Sequence, residues 1–223
     1  MQNSRSASEQ QEEPGVRARG RPRAFDRCAA LAQATRLFWS KGYEATSIAD
    51  LTAAMGIGST SLYAAFGSKE ALFSEALAYY MQQYAHLFWD RFDAAQTSRE
   101  AVEAFLQDSA AVLTGTVVDI PRGCMATLSA VGSEGHVELG ERVRAARAAT
   151  FDKLTARLRR AVDDGELPAA TEIQALARFV QSVQNGMTLL ARDDVSADEL
   201  AAVAHIAMMG WDASVAAARG AVT

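Results

Sequence analysis

Reactive and metal-binding residues are scarce in this chain. It has two cysteines among 223 residues, Cys28 and Cys124, far apart and in no metal-ligand spacing. A disulfide framework or zinc cluster is therefore not expected, and a reduced, cytoplasmic setting is. The histidines, His86, His136 and His205, are scattered, so no metal site is implied. No apolar run reaches the length of a membrane span, so no membrane partner is expected. The opening "MQNSRSASEQQEEPG" lacks the apolar segment of a secretory signal. Nucleophile elbow, phosphate loop and metal patterns are missing too. "SEGH" at 133–136 sets Ser, Glu and His side by side, but a hydrolytic triad is assembled by geometry rather than adjacency. Together these absences argue against an enzyme, and no cofactor is implied.

What the chain does have is apolar content and a lopsided charge. It is 49% hydrophobic with a mean hydropathy of −0.05, which suits one or two domains with a proper core. Its net charge is −5 and its pI near 5.3. Yet residues 1–69 carry nine Lys/Arg against six Asp/Glu, while residues 70–223 carry thirteen against twenty-one. The stretch "VRARGRPRAF" alone holds Arg17, Arg19, Arg21 and Arg23. A basic module on an acidic body points to an anionic partner, with nucleic acid first in line.

Periodicity gives an all-α chain of about nine helices. Residues 1–23 read as a disordered basic arm. A first helix spans 26–41, with Leu31, Ala34, Leu37 and Phe38 on one stripe and Gly42 at its end. Ser47 with Asp50 is a capping-box pattern opening a second helix, which Gly56 stops. A third helix follows at "STSLYAAF". Ser68 caps a fourth, whose apolar stripe runs Leu72, Phe73, Leu77, Tyr80, Tyr84 and Phe88. Capping patterns at Thr97, Thr171 and Ser196 open three of the remaining helices, which span about 98–116, 171–192 and 196–219. A short segment at 123–133 and a long helix from 137 to Asp164 complete the set. In that long helix "ERVRAAR" (141–147) reads as a solvated face.

The second and third helices form a helix-turn-helix: one helix braces across the DNA backbone and the other enters the major groove with its N-terminal residues at base edges. Gly56 supplies the left-handed turn. Leu51, Met55, Ile57 and Leu62 lock the pair, leaving the short polar Ser59, Thr60 and Ser61 exposed. A DNA-binding domain over 24–70 follows, and the all-helical remainder, 71–223, is a second domain.

The stretch "RLFWSKGYEATSIADLTAAMGIGSTSLYAAFGSKEALFSEAL" resembles the N-terminal domain of TetR-family transcriptional repressors, and the match covers about residues 26–80. The resemblance implies that 71–223 is a ligand-binding and dimerisation domain, in a homodimer that binds a palindromic double-stranded DNA operator and lets go when a small molecule occupies this C-terminal domain. Carried over by position, Ser47, Tyr63 and Lys69 contact phosphates, and Gly58, Ser59, Thr60 and Ser61 sit at or near base edges. Thr52 stands where the family usually has alanine; its hydroxyl is expected to bond back to the Ile48 carbonyl. Ahead of this module, "RGRP" resembles a minor-groove arm, with Arg19, Arg21 and Arg23 as its contacts.

In the second domain, Tyr84, Phe88, Phe105, Cys124, Met125, Leu128, Phe151, Leu154, Phe179 and Met187 are the expected lining of a cavity for a largely apolar effector. Cys124, beginning a short helix after "PRG", is also a candidate thiol sensor of oxidants or electrophiles. Cys28 reads as buried filler. Ile173, Val180, Met187, Val203, Ile206 and Trp211 on the last two helices are the expected dimer interface. A DNA-binding protein without a ligand remains the alternative reading.

Overall fold

Asp26 opens α1 (Arg27–Lys41) by accepting hydrogen bonds from the Cys28 and Ala29 amides, in a computed structural model that describes residues 26–129 and 135–220. The arginine arm lies outside the described residues. There follow α2 (Ile48–Met55), α3 (Ser59–Phe66), α4 (Lys69–Tyr84), α5 (His86–Ala94), α6 (Ser98–Leu113), α7 (Met125–Leu128), α8 (Val137–Asp163), α9 (Ile173–Arg192) and α10 (Ala197–Gly220). The described residues hold no strand.

There are ten helices here rather than nine because the fourth stripe is two helices. The chain turns at Ala85, whose carbonyl accepts from both the Phe88 and Trp89 amides, and Phe88 belongs to α5. Capping boxes form at Ser47–Asp50 and Thr97–Glu100, and Ser196 and Glu199 exchange the equivalent bonds. At Thr171 the expected cap does not form. Glu172 takes the cap position without a side-chain bond, and the Thr171 hydroxyl is turned inward with no hydrogen-bond partner among the described residues.

One continuous core runs from Ala30 on α1 to Val215 on α10. Helix α6 lies at its centre, packed by α5, α8, α9 and α10. Helix α4 belongs to both halves of the molecule: it packs on α1 from Phe73 to Tyr84 and also lies against α7 and α8. The boundary expected at residue 70 thus falls in the first turn of a helix that continues without interruption to Tyr84. Helix α10 is long and apolar enough to cross a membrane by length and composition, but it packs on α6 and α9. Its Asp212 accepts two hydrogen bonds from the Arg99 guanidinium, at 2.7 and 2.9 Å.

Candidate DNA interface and effector cavity

The helix-turn-helix is built as its residues require. Gly56 closes α2 in the left-handed region at φ 66°, ψ 31°, a conformation cheap only for glycine. Leu51 and Leu62 are fully buried, with Met55 and Phe66 beside them and Ile57 half-buried against them. Thr52 donates to the Ala49 carbonyl at 3.0 Å rather than to Ile48, one position along the same turn. Ser59, Thr60 and Ser61 are exposed at the start of α3, and Tyr63 is 47% exposed. Gly58 is the α3 N-cap, with extended backbone and open space where a Cβ would stand.

Two of the expected phosphate contacts are already occupied. Ser47 Oγ donates to Asp50 Oδ2 at 2.9 Å and accepts from the Asp50 amide at 3.0 Å. Lys69 Nζ lies 4.2 Å over the Tyr43 ring, a cation–π contact. The bonds from Ser47 and Lys41 hold the Asp50 carboxyl down to about 2. Burial and the neighbouring Glu70 push the Tyr43 hydroxyl well above its usual range.

The cations of this module are largely neutralised within the chain. Arg27 pairs with Glu75 at 2.7 Å, lies over Phe66 and donates to the Ala65 carbonyl. Arg36 pairs with Asp119 at 3.2 Å and Lys41 with Asp50 at 3.1 Å. Arg27 was not expected to do this work; its long reach from α1 to α4 leaves no periodic signal.

Besides the Arg36–Asp119 pair, further contacts join the module to the rest of the chain. Trp39 Nε1, on a ring only 2% exposed, donates to the Gly123 carbonyl at 2.9 Å. The same ring packs edge-on against Tyr80 and Tyr84, with centroids 4.7 and 5.3 Å away. Arg192 donates to the Ser40 carbonyl at 2.5 Å. His136, at the start of α8, lies 3.8 Å from Glu44 and 3.7 Å from Glu70.

Those two tyrosines are walls of a small internal cavity of about 50 Å³, room for roughly three to five waters. Helices α4 to α6 give it an aromatic side: Tyr80, Tyr84, Phe88, Trp89 and Phe105. Helices α7 to α9 give it a polar side: Thr127, Arg147, Thr150, Gln181, Gln184 and Asn185. Tyr84, Phe88, Phe105 and Cys124 of the expected set line it. Met125, Leu154 and Met187 are buried in the core outside it, and Leu128, Phe151 and Phe179 lie elsewhere. Leu128 stands against Gly123, Phe151 lies under the Arg178 guanidinium at 3.4 Å, and Phe179 packs on Gly210 at the α9–α10 face. Polar residues were missed because only apolar ones were sought. The signal was present in α9, where Gln181 and Gln184 share the buried stripe of Leu176, Val180 and Met187. "ERVRAAR" is likewise not all solvated: Val143 is buried and Arg147 reaches the cavity.

Cys124 is the N-cap of α7 and its Sγ accepts a hydrogen bond from the Tyr80 hydroxyl at 3.1 Å. Burial, and then the thiol beside it, push that hydroxyl well above the usual range. Cys28, expected as buried filler, is exposed on α1.

Of the expected dimer residues, Val180, Met187 and Trp211 face the chain's own core, and Ile173 is half-buried. Val203 and Ile206 are exposed, at 37% and 66%, as are Met209, Leu189, Leu190 and Phe179 on the same two helices.

Residues 30–76 match the family described as "Bacterial regulatory proteins, tetR family". The chain is 33% identical over 198 residues to the HTH-type transcriptional repressor ComR of Escherichia coli (strain K12), spanning 87% of this chain and 93% of that protein. It is 29% identical over 193 residues to the HTH-type transcriptional repressor BdcR of the same organism, spanning 84% and 90%. Among solved structures, a cysteine mutant of the TetR family transcriptional regulator CifR, complexed with 26-bp double-strand operator DNA, superposes with a TM-score of 0.79 at 41% identity. That match covers 85% of this chain and 98% of the other. On its sequence, its helix-turn-helix and its all-helical body alike, the chain belongs to the TetR family of bacterial transcriptional regulators.

Proposed function

We propose that the protein is a ligand-responsive repressor that binds a palindromic operator as a homodimer and releases it when a small molecule enters the α4–α9 cavity. The observation that carries this reading is the shared wall. Tyr80 and Tyr84 line the cavity on one side and press on Trp39 of α1 on the other. An occupant that presses on these rings shifts them against Trp39, and α1 and α4 together hold the helix-turn-helix. A displacement there repositions α3 in each subunit, and two half-sites are then no longer met at the required spacing.

In this reading α3 enters the major groove with Ser59, Thr60 and Ser61 foremost, Gly58 close to the backbone, and Tyr63 beside a phosphate. Ser47 and Lys69 meet phosphate only by giving up the contacts they make within the chain. The Arg19–Arg23 arm supplies minor-groove contacts. The second subunit covers the apolar surface around Val203 and Ile206, since exposed apolar area of this kind marks an interface. The domains divide functionally near residue 70 although α4 is shared.

The test is a fluorescence-anisotropy titration of operator DNA selected by the protein itself, followed by a ligand screen on the complex. A saturable palindromic site released by a cavity ligand is expected. Sequence-independent coating without release would establish the ligand-independent alternative.

One observation favours a second reading, in which Cys124 senses electrophiles: its sulfur lines the cavity, where a small electrophile admitted to it would meet the thiol. Cys124→Ser then abolishes operator release by an alkylating agent. Unchanged release removes the thiol from the mechanism.

A further inference from the structure

We propose that the cavity selects a small aromatic molecule bearing one carboxylate, with Arg147 as the charge partner and Gln184 as a hydrogen-bond donor. This rests on the effector reading above and deepens it. Among the described residues Arg147 is the one charged side chain of the cavity lining, and no Asp or Glu faces it there. Its guanidinium donates a long bond, 3.4 Å, to the Ser129 carbonyl and reaches no carboxylate of the described residues. A guanidinium drawn partly out of water without a counter-ion is costly, and its planar fork matches a carboxylate.

Gln184 gives an independent sign. It is 6% exposed and lines the cavity, yet its side-chain amide makes no hydrogen bond among the described residues; only its backbone carbonyl is engaged, by Thr188. Buried amides are nearly always paired. Part of the polar side is already engaged: Gln181 donates to the Arg147 carbonyl and accepts from Arg178, and Asn185 Oδ1 accepts from Thr127. Arg147 and Gln184, on adjacent helices, thus have donor capacity to spare, beside the Asn185 amide nitrogen and the Thr150 hydroxyl, which make no hydrogen bond among the described residues either. Opposite them stand Tyr84, Phe88 and Trp89, faces for a ring. The cavity of about 50 Å³ admits a carboxylate-sized group before the aromatic walls part.

The experiment uses the full chain and two matched pairs of probes, benzoate with benzamide and phenylacetate with phenylacetamide. Calorimetric affinities are measured at pH 7, and anisotropy follows a bound operator. Each acid is expected to bind roughly tenfold to a hundredfold tighter than its amide, the range for a hydrogen bond to a charged group. In Arg147→Gln the ratio should fall to about one, and Gln184→Leu should weaken the acid alone. Because the ratio is taken within one protein, a general loss of stability does not imitate the effect. If no acid outbinds its amide, the anion assignment is overturned. If an amide binds better and releases operator, the effector cavity stands and the anion assignment falls. If the acids bind as expected but operator stays bound, the anion site stands and the effector reading falls.

Discussion

Replacing Trp39 by Phe isolates the contact between the DNA-binding module and the loop that leads into the cavity. The phenyl ring still covers Tyr80 and Tyr84, so most aromatic packing survives. What is lost is the Nε1 donor, 2.9 Å from the Gly123 carbonyl in a site where both residues are buried. A buried acceptor left unpaired costs about 1–3 kcal/mol. For a chain of this size each 1 kcal/mol lowers Tm by about 2–4 °C, so about 2 kcal/mol predicts a loss of roughly 4–8 °C. Thermal unfolding of both proteins should be followed at one concentration, because the proposed dimerisation would shift Tm by mass action. A loss below about 0.5 kcal/mol, within the ordinary scatter of surface changes, would refute the claim that this bond fastens α1 to the body.

Five further outcomes are expected. Gly123→Ala should destabilise by about 2 kcal/mol or more in urea unfolding, since φ is 79° there and a Cβ would stand 2.6 Å from Leu128 Cδ1 and 3.0 Å from the Thr188 carbonyl oxygen. Ile206→Asp with Met209→Lys should leave each subunit folded by circular dichroism but move the sedimentation coefficient to that of a monomer, with operator affinity lost. Ser47→Ala should cost about 1 kcal/mol through the lost cap. Asp50, held down to about 2, stabilises the fold above the ordinary carboxylate range and ceases to as pH falls from about 4 to 2. Asp50→Asn should therefore flatten acid unfolding in that window. Deleting residues 1–23 should weaken operator binding and reduce its salt slope by about 0.9 for each phosphate contact removed; an unchanged slope would show that the arginines touch no DNA.

The helix-turn-helix was legible because its requirements are local. Gly56, the Ser47–Asp50 box and the spacing of Leu51, Met55 and Leu62 each act within a few residues of one another. Helix ends marked by Ser196 or Thr97 were legible for the same reason. The Thr171 cap was not, because the turn after Pro168 carries that hydroxyl inward, a tertiary matter. Which face of α9 meets the core and which meets a partner could not be read from apolar content: Val180 and Leu189 are equally apolar, and only packing separates a buried residue from one 58% exposed. The cavity was half legible. Aromatic residues announced themselves, whereas Arg147 and Gln184 gain meaning only when α8 is laid against α9.

The ion pairs of Arg27, Arg36 and Lys41 bear on how the protein searches a genome. Non-specific affinity comes almost wholly from cations meeting phosphates, and every stretch of chromosome competes for the protein on that basis. A globular module whose cations already face carboxylates of the same chain is a weak competitor for arbitrary sequence. It dwells where its shape and short polar side chains fit, and general adhesion to DNA is left to whatever charge lies outside it. If the chain reads an operator as proposed above, the carboxylates of Glu75, Asp119 and Asp50 then set discrimination from bulk DNA as much as the residues that face the bases do.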